Sequence, residues 1–81
     1  TFYYATTKAK KNYTDFSYTD NDFFVFGKET KGLPKDLIEK NLDTAIKIPM
    51  KSNLGRSLNL ANSVNIILFE ALRQLNFLML E

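Results

Sequence analysis

The sequence predicts one small α/β domain with a mostly parallel sheet and helices on both of its faces, and three observations support this prediction. Short apolar strand segments alternate with segments of helical periodicity along the chain. The segment Phe23-Phe24-Val25-Phe26 is apolar at four consecutive positions, which is typical of a strand buried on both faces in the centre of a parallel sheet. With 81 residues, the chain has room for one domain at most.

The composition is that of an ordinary globular protein. The apolar fraction is 44% and the charged fraction is 25%, which excludes a disordered chain. No stretch reaches the roughly 18 uninterrupted apolar residues of a membrane span, and no charged segment is followed by an apolar leader. Because the chain does not begin with Met and Thr1 leads directly into a strand, we expect it to lack the amino-terminal part of a longer protein.

The absence of two residue types removes several chemistries. Without Cys, disulfides and thiol catalysis are impossible, and this composition is compatible with a reducing cytoplasm, where we expect the protein to act. Without His, the usual zinc sites, the Ser-His-Asp triad and imidazole acid–base chemistry are excluded within this chain. We therefore expect no metal site.

Residues 2–7 are aromatic and β-branched, which favours a strand. Residues 8–22 are polar and predict a long connection, a kind of loop that tends to be functional in a compact domain. The strand at 23–26 follows, and Gly27 ends it. Pro34 suits the first turn of a helix, which we predict over 34–41.

The second half of the chain is predicted to hold one strand and one long helix. Ala45 to Ile48 form the third strand, which Pro49 stops. Residues 50–59 form a loop, and residues 60–77 form the terminal helix. At about 100° per residue, one arc of this helix is apolar and predicts its core face. That arc consists of Leu60, Ala61, Val64, Ile67, Leu68, Ala71, Leu72 and Leu75.

Ile66 and Phe69 lie on the other side of the terminal helix, among polar residues. Two interpretations stay open for them. They are single apolar residues on a surface, which is common, or they belong to a second contact surface such as a dimer interface.

Lysines near the first strand raise the possibility of phosphate contact. Although the net charge is only +2, Lys8, Lys10 and Lys11 cluster close to Tyr13, Phe16 and Tyr18. Positive charge beside aromatic rings suits phosphate and base contact, whereas the alternative is a solvated loop with tyrosines packed beneath it. Further cations could extend such a surface: Lys28, Lys31, Lys35, Lys47, Lys51 and Arg56.

Two loops directly follow predicted strands, and ligands of open α/β sheets bind just past the carboxyl ends of strands. The first loop has the G-x-x-x-x-G spacing of a phosphate loop between Gly27 and Gly32, but Leu33 and Pro34 replace the Lys and Ser or Thr that a true P-loop requires. What remains is a tight glycine turn beside the carboxylate of Glu29, either a plain strand–helix turn or a floor that a planar ligand can approach closely.

The second loop sets hydroxyls and amides at the entrance of the terminal helix. The segment 57–63 alternates polar residues with leucines directly after Arg56. A helix cap at Ser57 or Asn59 would account for one of these polar residues, so a cap and a ligand site both stay open.

Three motifs in a fixed order carry a family resemblance. They are F-G-x-E-T-x-G-L-P (Phe26 to Pro34), I-P-M (Ile48 to Met50), and R-S-L-N-L-x-N-S-V continuing to F-E-A-L-R-Q (Arg56 to Gln74). Together with the strand end Ala5-Thr6-Thr7-Lys8, they resemble the SPOUT class of RNA methyltransferases, and within it the tRNA wobble-nucleotide 2′-O-methyltransferases. The resemblance covers essentially all 81 residues.

The resemblance implies that residues 1–81 are the carboxyl-terminal, S-adenosylmethionine-binding half of a SPOUT domain with a deep trefoil knot. It also implies a homodimer that packs the terminal helix, which would account for Ile66 and Phe69. The tRNA anticodon stem-loop would be the partner. The implied cofactor contacts are Ala5, Gly27, Ile48 and Ser57, with Thr6, Glu29, Gly32, Met50, Leu58 and Asn62 lining the pocket.

The implied reaction is methylation of the ribose 2′-hydroxyl of the wobble nucleotide. The family's arginine-containing motif, associated with removal of the hydroxyl proton, has no counterpart in this chain, so the catalytic residues stay unknown. Arg56, Ser57 and Asn59 are supporting candidates for orienting the ribose or the methionine part. Two alternatives stay open: a truncated or non-catalytic module that binds RNA or cofactor, and a 2′-O-methyltransferase of ribosomal RNA.

Overall fold

The computed structural model describes residues 1–28, 32–49 and 60–77. Within them, four parallel strands form one sheet with the spatial order β2-β4-β1-β3. The strands are β1 (Phe2–Ala5), β2 (Lys11–Asn12), β3 (Phe23–Val25) and β4 (Ala45–Lys47), and the helices are α1 (Lys35–Lys40) and α2 (Leu60–Gln74). The predicted α/β class with a parallel sheet is confirmed.

The strands begin and end close to the predicted positions, but each is shorter than the apolar segment that predicted it. β1 ends at Ala5, β3 at Val25 and β4 at Lys47. The connection predicted over 8–22 contains β2 and a 3₁₀ turn at Tyr13–Asp15. β2 has no local strand pattern because it is formed by pairing with β4, a contact between distant parts of the chain.

β4, the last of the described strands, lies in the sheet between β1 and β2, the first two strands. β1 and β2 are joined by residues 6–10 alone, yet β4 pairs with both of them in parallel. Residues 6–10 therefore cross over β4, and we name this segment the crossover. β4, which comes late in the sequence, therefore lies beneath the crossover, which comes near its start.

Both faces of β4 are covered. Successive residues of a strand point to opposite faces, and Ala45 and Ile46 are both fully buried. On the face of Ile46, a core cluster joins the sheet to α2 through Ile67 and Ala71. Ile38 of α1 is also buried and is not a member of that cluster.

Aromatic rings fill the core cluster on the α2 side. Tyr3 of β1 contacts Tyr18 edge to face, with 5.0 Å between ring centroids, and stacks on Phe24 of β3 at 5.8 Å. Tyr18 also meets Phe24 edge to face at 5.1 Å. Such pairs contribute beyond their buried area, so the segment before β3 is fixed to the sheet.

β3 lies at one edge of the sheet formed by the described residues. Its Phe23 is 59% exposed and stacks on Phe2, the neighbouring residue of β1, which is 52% exposed. The prediction that this strand is buried on both faces is therefore wrong for the described residues. An edge strand has no neighbour on one side, and here one face of its first residue is open as well.

α2 turns its buried side in a slightly different direction from the prediction. Ile67 and Ala71 are buried as expected, but Ala61 and Leu68, which were assigned to the core face, are exposed. Two polar residues belong to the inward side of the helix instead. Glu70 and Gln74 are partly buried, and Gln74 forms hydrogen bonds with the segment around Tyr18. Phe69 is 53% exposed, whereas Ile66 is partly buried.

Neither described helix has the length and apolar character needed to cross a membrane.

Candidate functional site

The carboxyl ends of three adjacent strands meet at one edge of the sheet. Ala5 is level with Ile46 of β4, and Tyr4 is level with Val25 of β3. Thr6 directly follows β1, Ile48 directly follows β4, and Gly27 lies two residues after β3, so all three lie just beyond that edge. This is where open parallel sheets bind ligands, and we name Ala5, Thr6, Gly27, Gly32 and Ile48 the floor.

Gly27 is required for the first loop to fold back on itself. A Cβ atom at this position would overlap the carbonyl carbon of Gly32 and the amide nitrogen of Leu33. The backbone of the loop therefore occupies the space that a side chain would need, and Gly27 is explained by this contact within the loop. The two ends of the loop are joined by a 2.8 Å hydrogen bond from the Gly32 N–H to the Lys28 carbonyl.

Gly32 is glycine because of its backbone conformation, not because of a close contact. Its φ is +66°, a conformation that residues with a side chain rarely adopt. A Cβ built on Gly32 would meet no atom of the described residues within 4 Å. Among the described residues, nothing fills the space beside the Gly32 backbone, so a ligand can approach the main chain there.

Thr6 connects the floor to the crossover. Its N–H donates to the Ile46 carbonyl at 2.9 Å, which fixes it beside β4. Its side-chain Oγ1 accepts the Lys8 N–H at 3.1 Å, and its carbonyl accepts the Ala9 N–H at 3.3 Å. Ala9 is buried, so the crossover is held from both the sheet and its own first turn.

None of the floor's three side chains, those of Ala5, Thr6 and Ile48, is ionisable, and Gly27 and Gly32 offer only backbone groups. Ala5, Thr6, Gly27 and Ile48 are partly buried, and Ala5 and Ile48 pack against the core cluster. Across the described ranges, no group of three or more acidic residues could hold a metal ion. The arrangement suits a planar or apolar group held by main-chain atoms and small side chains.

The other site residues predicted from the sequence are placed as follows. Asn62 lies in the first turn of α2 and is exposed. The remaining predicted residues fall outside the described ranges, and their assignments stay predictions. They are Glu29, Met50, Arg56, Ser57, Leu58 and Asn59.

The aromatics near the first lysines belong to the core. Tyr18 is buried, and its hydroxyl donates to the Tyr13 carbonyl, while burial raises the pKa of Tyr18 and keeps the phenol neutral. Phe16 packs against the core cluster, and the Lys11 ammonium lies over its ring at 5.5 Å from the centroid. Of the two open interpretations, tyrosines packed beneath a solvated loop is the one that the structure supports.

The sequence reasoning missed a polar network at the far end of α2. Gln74 accepts the Tyr18 N–H at 2.7 Å and donates to the Phe16 carbonyl at 2.9 Å. It also donates to Glu70 at 2.8 Å, and Arg73 donates to both Glu70 oxygens at 2.8 and 2.9 Å. The hydrogen bonds from Arg73 and Gln74 lower the pKa of Glu70 to about 2. The i, i+3, i+4 spacing of these three residues is the signal that could have predicted the network.

Comparison with known proteins supports the family resemblance that the sequence motifs indicated. Residues 1–69 match the family described as the SpoU rRNA Methylase family. A Bacillus subtilis (strain 168) protein provisionally named tRNA (cytidine(34)-2′-O)-methyltransferase is 49% identical over 79 residues, which cover 94% of this chain and 49% of that protein. The Burkholderia cenocepacia (strain HI2424) tRNA (cytidine(34)-2′-O)-methyltransferase is 41% identical, over 89% of this chain and 46% of that protein.

Solved structures agree in fold. The crystal structure of a provisionally named RNA methyltransferase from Bacillus anthracis has a TM-score of 0.90 and 44% identity, covering 99% of this chain and 52% of that one. A structure described as giving insights into the 2-OH methylation of C/U34 on tRNA has a TM-score of 0.80 and 32% identity, covering 93% of this chain and 44% of that one. The chain spans about half the length of the curated relatives that it matches.

Proposed function

Because this chain belongs to the SpoU rRNA Methylase family, we propose that it is the cofactor-binding part of an enzyme that methylates the 2′-hydroxyl of the tRNA wobble nucleotide. The family match and the relatives confirm the resemblance that the motifs indicated. The relatives' names and the described tRNA structure support the wobble ribose as the target.

The observation that carries the proposal is the meeting of three strand ends at one edge. Ala5, Gly27 and Ile48 are separated widely in sequence, yet β1 pairs in parallel with both β3 and β4, so all three residues lie at or just beyond the carboxyl ends of neighbouring strands. The floor that they form matches the position at which parallel α/β sheets bind ligands. The same residues were expected from the motifs to contact S-adenosylmethionine.

The residues of the floor fit S-adenosylmethionine. The open space beside Gly32 admits a planar group close to the backbone, and the partly buried Ala5 and Ile48 provide an apolar wall. We propose that these residues, with Thr6, hold the adenosine part. Ser57, Leu58, Met50, Glu29 and Asn62 complete the proposed pocket. When bound, the group supplies an electrophilic methyl on a sulfonium.

The described floor contributes position rather than acid–base chemistry. Methylation requires the ribose 2′-oxygen to lie in line with the methyl, and the hydroxyl to lose its proton. None of the three floor side chains can accept that proton at neutral pH. We therefore propose that the floor fixes the geometry, that Arg56, Ser57 and Asn59 orient the substrate, and that the base lies elsewhere.

We also propose a trefoil knot and a homodimer. The knot is supported by β4 lying between β1 and β2 beneath the five-residue crossover. The dimer is supported by two exposed apolar side chains of α2, those of Leu68 and Phe69. Phe69 was expected from the sequence to belong to a second contact surface.

Cofactor binding is testable with one variant and one matched control. In Gly32→Asn the new side chain enters the open space of the floor, while Asn tolerates positive φ better than other residues. We expect isothermal titration with S-adenosylhomocysteine to show binding by the unsubstituted protein, weakened at least about tenfold in Gly32→Asn. Ser17→Asn adds the same amide at an exposed position and should bind normally. A folded protein that gives no heat would contradict the cofactor assignment.

Substrate class requires a methylation assay. The whole enzyme that contains this part should be incubated with S-adenosylmethionine and either tRNA or ribosomal RNA, and the products digested and analysed by mass spectrometry. Methylation of the ribose at the wobble position of tRNA is the expected result. The family's description names ribosomal RNA, so methylation of that RNA alone would establish the second candidate function instead. Cofactor binding without methylation of either RNA would establish a non-catalytic module.

A further inference from the structure

Acidic and basic residues lie at opposite ends of the parallel strands, which we call the amino edge and the carboxyl edge of the sheet. Asp20 and Asp22 precede β3, and Asp43 precedes β4, so these acids lie at the amino edge. Lys28 follows β3, and Lys47 is the last residue of β4, so both lie at the carboxyl edge with the floor. Since β1, β3 and β4 run the same way and lie side by side, the direction of these strands produces this separation.

The crossover adds two more lysines at the floor. Lys8 and Lys10 are exposed, whereas Ala9 between them is only 4% exposed. Hydrogen bonds from the N–H groups of Lys8 and Ala9 to Thr6 hold the turn from which they project. Both lysines therefore extend from a fixed backbone beside the floor. A fixed backbone loses less conformational freedom when a ligand binds.

Among the described residues, these four lysines outnumber two nearby carboxylates. The Asp15 carboxylate keeps its charge but accepts the Asn12 N–H at 2.8 Å, which holds it in its own turn. Asp36 lies beside Lys35 in the first turn of α1. Lys11 is excluded from the surface because its ammonium already lies over the Phe16 ring.

From this arrangement we propose that Lys8, Lys10, Lys28 and Lys47 form a surface that contacts the phosphate backbone of RNA next to the floor. The proposal rests on the proposed function, because a ribose that reaches the floor brings phosphates on both of its sides to the same edge. Lysine contacts to phosphate give affinity that depends on salt and not on sequence. The role of this surface is to bring any suitable RNA backbone to the floor, and base recognition comes from elsewhere.

The test is the salt dependence of RNA binding by the double variant Lys8→Ala/Lys10→Ala. Its matched control is Lys40→Ala/Arg73→Ala, which removes the same charge from exposed positions at the carboxyl ends of α1 and α2, away from the floor. Binding of fluorescent tRNA is followed by anisotropy between about 50 and 200 mM salt. Each lost phosphate contact reduces the slope of log K against log salt by about 0.7–0.9. The Lys8→Ala/Lys10→Ala variant, the crossover variant, should therefore lose about 1.4–1.8 in slope, an approximately 7- to 12-fold smaller response to this change of salt.

A slope that falls in the crossover variant and stays unchanged in the control supports the surface. Equal slopes in the unsubstituted protein and the crossover variant, or equal reductions in both variants, overturn it. Titration with S-adenosylhomocysteine separates this result from the proposed function. A protein that binds the cofactor and methylates tRNA, but whose crossover variant keeps its slope, overturns only the surface. A protein that binds tRNA with the expected slopes but does not bind cofactor supports the surface and overturns the proposed function.

Discussion

Gln74 fixes the segment before β3 to the last turn of α2, and its substitution should show how much this link contributes. Its side chain accepts the Tyr18 N–H and donates to the Phe16 carbonyl, and both bonds join positions more than 50 residues apart in sequence. Gln74→Met keeps the approximate size of the side chain while it removes both hydrogen bonds and the contact with Glu70.

The expected cost follows from the two backbone groups that lose their partners. Leaving a buried donor or acceptor unsatisfied costs about 1–3 kcal/mol. Tyr18 is 4% exposed, so its N–H should lie within that range, whereas the Phe16 carbonyl belongs to a partly buried residue and should cost less. The sum is about 2–3 kcal/mol, against a total stability of about 4–12 kcal/mol for a domain of this size. The melting temperature should fall by about 10–20 °C.

Equilibrium unfolding in urea, followed by far-ultraviolet circular dichroism, measures this loss. Arg73→Met is the control, because Arg73 is exposed and an exposed ion pair such as the one it forms with Glu70 contributes little to stability. Amide hydrogen exchange at Tyr18 provides a local measurement and should become faster in Gln74→Met alone. If the two variants differ in stability by less than about 0.5 kcal/mol and the Tyr18 exchange rate is unchanged, the link does not hold this segment.

Three further predictions concern other parts of the chain. The pKa of Glu70 is about 2 in the folded protein, below its usual value, so its stabilising contribution is present above about pH 4.5 and is lost as the pH falls towards 2. Between pH 5 and 2.5 the unsubstituted protein should lose about 1–2 kcal/mol more stability than Glu70→Gln in urea unfolding, and parallel losses would contradict the shift. Gly27→Ala should cost about 2–3 kcal/mol because its Cβ overlaps the loop backbone, whereas Gly32→Ala should cost about 1 kcal/mol from its positive φ alone, and equal urea midpoints would contradict this difference. Phe69→Glu should shift analytical ultracentrifugation towards monomer while Ser17→Glu does not, and an unsubstituted protein that is already monomeric would refute the dimer.

The elements with strong local patterns could be predicted from the sequence. The aromatic and β-branched start of the chain gave β1, and the long amphipathic segment gave α2. β2 could not be predicted, because its two residues become a strand only through pairing with β4. The exposure of Phe23 was also beyond prediction, since a run of apolar residues does not state whether a neighbouring strand exists to cover it.

The floor was predictable in part, and the two glycines show why. Their spacing predicted a tight turn, but it did not distinguish a glycine that the loop's own backbone requires from one that faces open space. That distinction depends on where Gly27 and the Gly32–Leu33 peptide meet in three dimensions. The lysines show the same limit, because Lys8 and Lys47 reach the same edge only through the direction and pairing of the strands.

The crossover explains why the floor and the charged surface occur together. Since β4 is paired on both sides beneath residues 6–10, the end of β4 cannot move away from Ala5 without breaking a ladder on each side. The same five residues present Lys8 and Lys10 and anchor on the floor through Thr6. A substitution that loosens the Thr6 bonds should therefore weaken cofactor and RNA binding together, whereas removal of the lysine charges should weaken RNA binding alone. The floor and the proposed RNA surface depend on one short segment, and this shared dependence is what a comparison of Thr6→Val with Lys8→Ala/Lys10→Ala would reveal.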